Sequence, residues 1–166
     1  MFIWQYIDIP DDEVCIIKQQ FRHNMPNNQF FFQLIHINMT HFLNVEIAQA
    51  VLIQMPPMGG IRDDGIHKDM NLTNKSTLAI NIPLENCEGS ITKFWKSDKP
   101  ESIHYTPNGH LYRSFKAVDC EQISEVKLIK PFIFDTNILH SVSNPQNVWR
   151  RAISIRFKKD IWHLVK

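Results

Sequence analysis

The chain has 166 residues, 43% hydrophobic and 11% aromatic, which suits one sizeable core and is too short for two, so a single domain over 1–166 is expected. Its 18 basic and 17 acidic residues leave a formal net charge of +1, with no long-range field to gather phosphates or anionic lipid, and nucleic acid is a disfavoured partner. Cys15, Cys87 and Cys120 are odd in number and lack paired spacing, against a disulfide framework or structural zinc. With no basic leader at the start and no run of about 18 apolar residues, a cytoplasmic protein that spans no membrane is expected.

Phe2 to Ile9 alternates apolar with polar residues and stops at Pro10, as a short strand does. Asp11-Asp-Glu13 then opens a segment to His23 in which Val14, Ile17 and Phe21 recur at helical spacing, and the acidic residues suit the positive helix start. Gln29 to Ile37 reads as a strand, and Met39 to Ala48 as either a second helix or an irregular crossing. From about residue 51 the chain becomes a series of short β-type runs: Val51–Met55, Ser76–Leu84, Ile91–Trp95, Ile103–Thr106, Arg113–Val118, Glu125–Phe134, His140–Ser143 and Arg150–Phe157. Turn signals separate them, among them Pro56-Pro-Met-Gly-Gly60, Glu85-Asn-Cys-Glu-Gly89, Thr106-Pro-Asn-Gly109 and Ser143-Asn-Pro145. The expected fold is mainly β, a sandwich or jelly roll over about 51–158 with N-terminal helices in a bracing segment, 1–50.

His67-Lys-Asp69 is the first chemical signal, weak by itself because a chance His-x-Asp is common and an exposed loop explains it equally well. Its i, i+2 spacing sets His67 and Asp69 on one side of an extended segment. A loop would deliver His67, and His140 would enter a strand much later. Two imidazoles and a carboxylate on one face of an ion leave three positions open, as iron(II) needs to bind a bidentate cosubstrate and oxygen together.

The run Arg150-Arg-Ala-Ile-Ser-Ile-Arg-Phe157 splits by parity into an apolar face, Ile153, Ile155 and Phe157, and a polar one, Arg150, Ala152, Ser154 and Arg156. Two arginines and a hydroxyl on a sandwich strand suit a cavity holding a carboxylate, which Arg meets with its planar fork; an edge strand facing water is the alternative. Arg151 falls on the apolar parity and is expected at the rim with its head in solvent. Asn81, in phase with Thr77 and Ala79, either borders the cavity or faces solvent. Trp95, beside Phe94, is a core residue or a substrate platform, and His104 an entrance residue or an exposed histidine. The remaining histidines have no ligand spacing.

His67-x-Asp69, His140, and Arg150 followed by Ser154 together resemble the 2-oxoglutarate/iron(II)-dependent oxygenases, whose core is a double-stranded β-helix, a cupin-like jelly roll. Ala79-Ile-Asn-Ile-Pro-Leu-Glu85 with Thr92-Lys-Phe-Trp95, and Phe134-Asp-Thr-Asn-Ile-Leu-His-Ser-Val-Ser-Asn144, are similar to viral and bacterial members of unassigned substrate. The resemblance covers about residues 50–157. It implies His67, Asp69 and His140 as ligands of Fe(II), Arg150 and Ser154 as the clamp on the distal carboxylate of 2-oxoglutarate, and Arg156 near the metal-proximal carboxylate; Asn81 is a further cosubstrate candidate from its strand parity alone. The activity implied is hydroxylation of a small-molecule or amino-acid-type substrate, with Trp95 and His104 as candidate substrate contacts, and release of succinate and carbon dioxide. Gln54-Met-Pro-Pro-Met58 stands where nucleic-acid repair members and prolyl hydroxylases carry other residues, so no substrate carries over. Two alternatives are a non-catalytic jelly-roll module for a small anion or metabolite, and a cupin enzyme without 2-oxoglutarate, which ordinarily gathers more histidines close in sequence.

Overall fold

The computed structural model describes residues 1–23, 33–36, 39–60, 65–69, 76–105 and 111–165. In chain order they form β1 (Trp4–Tyr6), α1 (Asp11–His23), β2 (Gln33–His36), β3 (His41–Phe42), β4 (Val45–Met55), β5 (Ile66–Lys68), β6 (Leu78–Glu85) and β7 (Ile91–Lys96). Then come β8 (Ser102–Tyr105), β9 (Leu111–Phe115), β10 (Glu121–Lys127), β11 (Phe132–Asp135), β12 (Leu139–Ser143) and β13 (Arg150–Phe157). The protein is mainly β. A large antiparallel sheet runs β1-β11-β6-β13-β4-β2, with β3 attached to β4, and a smaller one runs β10-β7-β12-β5-β9-β8.

Eight of these strands pair in a nested way: β4 with β13, β5 with β12, β6 with β11 and β7 with β10. The polar signal of the Arg150–Phe157 run therefore sits mid-sheet, with β6 and β4 on either side, rather than at an edge. Its outward face carries Ile153, Ile155 and Phe157, all fully buried with Leu52, Leu78, Ile80, Ile82 and Ile133. Ile17 of α1 packs into this cluster, so the helix covers the sheet from outside. The opposite face meets the small sheet, where Ala152 and Ala79 join Phe94, Phe132 and Phe134.

Several expectations are corrected. Met39 to Ala48 is neither a helix nor an irregular crossing: Phe42 pairs with Val45 across Leu43 and Asn44, both at positive φ (52° and 60°), the backbone of a tight two-residue hairpin. β1, β2, β3 and the start of β4 at Val45 thus all lie inside the expected bracing segment and belong to the large sheet, and α1 is the one α-helix among the described residues. Glu125–Phe134 is two strands in different sheets, divided before Pro131, which donates no ladder hydrogen bond. Arg113–Val118 gives up its second half to a 3-10 turn at Ala117–Asp119. Residues 29–32 and 37 of the expected Gln29–Ile37 strand, and the Thr106–Gly109 turn, lie outside the described residues; Gln33–His36 is a strand. No described helix is long and apolar enough to cross a membrane.

Arg151 is not at a solvent rim. It is 7% exposed, donating from Nε to Gln54 Oε1 (2.8 Å) and from Nη1 to Glu85 Oε2 (2.5 Å). A fully buried Gln54 and a carboxylate one strand away on each side replace the water expected there.

Candidate metal centre

His67 arrives on a strand, not a loop. Gly65 precedes it at φ 71°, a conformation costly for a side-chain-bearing residue, and its carbonyl lies 2.8 Å from His67 Nδ1. His140, on β12, is the direct cross-strand partner of His67. Its own Nδ1 lies 2.9 Å from the Ile138 carbonyl. Each Nδ1 therefore donates to a backbone acceptor, which leaves the Nε2 lone pair of both rings free for a ligand bond.

Asp69 closes the group. His67 Nε2 is 3.6 Å from Asp69 Oδ1, and His140 Nε2 is 3.7 Å from Asp69 Oδ2. One ligand atom from each residue falls within 4.8 Å of the others, close enough to share a single cation. Phe134 meets His140 edge-on at 5.3 Å, and the two imidazole centroids are 4.4 Å apart. Burial, with help from His67, pushes the His140 pKa down to about 4, so the ring is neutral as a ligand must be. For Asp69, burial works to raise the carboxyl, but His140, Arg156 and His67 outweigh it and hold the group below its ordinary range.

Arg156 donates to Asp69 Oδ2 from Nη2 and to Thr136 Oγ1 from Nη1 (2.9 Å), while Thr136 donates to the Thr77 carbonyl (2.7 Å). The expected contact of Arg156 with a cosubstrate carboxylate is thus, in this structure, a contact with the Asp69 carboxylate. Ala79 is its register neighbour and leaves room for the guanidinium.

Arg150, six residues back along β13, is 1% exposed. Its Nη1 donates to Met55 Sδ at 3.5 Å, the Cys87 thiol lies against it, and its Nε has no partner. Among the described residues no carboxylate neutralises it. Burial pushes the Cys87 thiol up, so this neighbour stays neutral too. Ser154 shares the face at partial exposure, beside Asn81, which is buried (6% exposed) with its Oδ1 unpartnered.

Trp95 does not join the site. Phe94, opposite His140, shares that histidine's face; Trp95 pairs with Leu139 and packs with Ile66 on the other side of the small sheet, donating to Ser141 Oγ (3.0 Å). His104 lies in β8, two strands from His67. Met55, Cys87 and Thr136 were not singled out by the sequence pattern. Thr136 sits inside the Phe134–Asn144 stretch, a signal that could have found it; nothing in the spacing of Met55 or Cys87 indicates an arginine between them.

No protein-family model matches the chain, and no curated protein matches it. Among solved structures, the crystal structure of AviO1 from Streptomyces viridochromogenes Tue57 is similar at a TM-score of 0.42 and 11% identity, covering 94% of this chain and 89% of that one. A likeness this remote carries no argument about chemistry.

Proposed function

We propose that the protein is a non-haem Fe(II)- and 2-oxoglutarate-dependent oxygenase built on a double-stranded β-helix, hydroxylating a small-molecule or amino-acid-type substrate. The observation that carries the reading is the convergence of two Nε2 lone pairs and one carboxylate on a point, from strands far apart in sequence. Nested pairing, first core strand with eighth and second with seventh, supports the jelly-roll assignment. The donor set suits the metal: two neutral imidazoles and an ionised carboxylate bind a divalent first-row ion on one face and leave the opposite face open.

When bound, iron and 2-oxoglutarate together supply oxidising power from dioxygen, with succinate and carbon dioxide released. The chain's part is to bind and orient. His67 and His140 are fixed in one tautomer by the Gly65 and Ile138 carbonyls, and Phe134 packs the His140 ring. Arg156 and Thr136 hold Asp69 in its rotamer while leaving Oδ1 on the side of His67. Arg150, buried with no carboxylate beside it among the described residues, holds a charge that a carboxylate would satisfy, and such a charge is costly to maintain unless a ligand meets it.

The test is anaerobic titration of the protein with Fe(II) and then 2-oxoglutarate, watching for the visible metal-to-ligand charge-transfer band. A band that appears in wild type and is lost in Asp69→Ala is the expected result; no band in folded wild-type protein rejects the oxygenase. The non-catalytic anion-binding module rests on the Arg150 end alone and predicts carboxylate binding that a chelator leaves untouched.

A further inference from the structure

Strand register and contacts between the sheets set two rows of side chains face to face. Direct cross-strand partners share a face, so Phe94, His140, His67, Ser114 and Ser102 form one row across the small sheet, each opposite the next. In the large sheet Phe134, Ala79, Arg156 and Gln49 form another. Three contacts hold the rows in step: Phe134 meets both Phe94 (6.0 Å) and His140 (5.3 Å), and Arg156 reaches Asp69, two residues from His67. Gln49 and Ser114 are the next position along each row.

Gln49 owes its place to an irregularity. Ile47 pairs with Phe157 and Gln49 with Arg156, so Ala48 is an extra residue, a β-bulge. Unbroken alternation would send Gln49 outward with Ile47. The bulge resets the phase, so that Ala50 and Leu52 join Ile47 in the outer cluster and Gln49 falls on the inner face with Arg156. One end of the two rows is shut, because β1 spans the sheets there: Trp4 Nε1 donates to Ser124 Oγ (2.8 Å) and the Tyr6 hydroxyl to the Lys127 carbonyl (2.7 Å). Toward the other end exposure rises, from 0% at Phe94 and 5% at His140 to 32% for the His67 side chain, with Ser114 half-buried and Ser102 exposed. A molecule from solvent therefore comes to the His67, Asp69 and His140 group past Ser114 and Gln49.

We infer that Gln49 and Ser114 form a substrate subsite beside the metal group, and that it takes an uncharged carboxamide. The two residues are polar without charge. Lys68 and Arg113, paired one step along from His67 and Ser114, fall on the opposite face of the small sheet, and Arg156 is paired with Asp69. A carboxamide presents a C=O beside an N–H, the complement of the Gln49 amide, so the two join in plane by a pair of hydrogen bonds. Gln49 already has a partner in the protein, and with two N–H groups and two lone pairs it keeps positions for a ligand. The Ser114 hydroxyl, which donates or accepts, takes a further position on the same group. A carboxylate would meet the Gln49 oxygen with lone pairs alone, an ammonium would meet its N–H groups with hydrogens alone, and an alcohol offers one group where two are matched. The inference rests on the reading of His67, Asp69 and His140 as the metal centre of an oxygenase, and names the class of substrate that centre would meet.

The test is proton magnetic relaxation of small probes by Mn(II) bound to the full chain, which reads both binding and nearness to the ion, with Zn(II)-loaded protein as the diamagnetic control. Butanamide and 1-butanol, matched in size, are the probes, each with and without 2-oxoglutarate. Butanamide should bind wild type about fivefold tighter than 1-butanol, the worth of one added hydrogen bond. Gln49→Leu should abolish that preference and Ser114→Ala should weaken butanamide about fivefold, while both variants keep the wild-type affinity for Mn(II). Butanamide relaxed no more than 1-butanol in wild type overturns the inference, as does wild-type butanamide binding in either variant. Butanamide binding that needs Gln49 and Ser114, with no effect of Mn(II) on 2-oxoglutarate binding, keeps the subsite and removes the oxygenase. Mn(II)-dependent 2-oxoglutarate binding without the amide preference does the reverse.

Discussion

At one end of β13, the Asp69 carboxylate has Arg156 hydrogen-bonded to it and two imidazoles within 3.7 Å. At the other, roughly 20 Å along an extended strand, Arg150 is more fully enclosed, and the partners it has among the described residues are the sulfurs of Met55 and Cys87. The first end is preassembled: opposite charges orient one another before any ion arrives. The second is held in reserve: among the described residues no carboxylate neutralises its charge. The same strand therefore carries a site that should tighten the fold and one that should loosen it until a ligand binds.

The sharpest break of this contrast is Asp69→Ala. It removes a proposed metal ligand and takes from Arg156 its carboxylate partner, so Mn(II) affinity by calorimetry should fall more than about a hundredfold, beyond the usual cost of losing an outer-shell partner, and the metal-free protein should melt lower. Arg150→Met is the opposite case. Dicarboxylate affinity should drop about a hundredfold, while Mn(II) binding stays intact and the ligand-free protein melts no lower, because an unpaired buried charge has gone. Equal effects of the two substitutions on metal and dicarboxylate would erase the distinction between the ends.

A control on the outward face sharpens it further. Arg151→Met leaves the buried Gln54 side chain without its guanidinium partner and should cost about 2 kcal/mol in denaturant unfolding, with both binding events unchanged. The pH response follows from His140, whose folded pKa of about 4 lies below its ordinary 6.5. Between those values the unfolded chain takes up a proton that the folded one refuses, so metal-free stability should fall as pH drops from about 6.5 to about 4 and be flat above. Urea midpoints across that range check it. The smallest effect belongs to Asn44→Gly in the β3–β4 turn, which should be neutral or stabilise by a few tenths of a kcal/mol because φ is 60° there.

The contrast also marks what sequence reading reaches. Period-two alternation set Ile153, Ile155 and Phe157 on one buried face of β13 correctly, since parity is local. His67 and Asp69 were legible as a pair for the same reason, and the strand register sets His140 directly opposite His67. Arg151 was misread because its partners, Gln54 and Glu85, come from flanking strands 97 and 66 residues away in sequence. The β3–β4 hairpin escaped because Leu43-Asn44 is not the Asn-Gly pair that announces such a turn.

The nested pairing has a consequence for how the chain comes together. β13 joins β4 and β6, so until residues 150–157 have left the ribosome the large sheet exists only as two separate halves, with Arg150 and Arg156 still missing. Contacts spanning some hundred residues make assembly slow and nearly all-or-none. A polypeptide cut short before Arg150 should accumulate as an aggregation-prone species exposing Leu52 and Ile80, and not as a smaller protein with half a site.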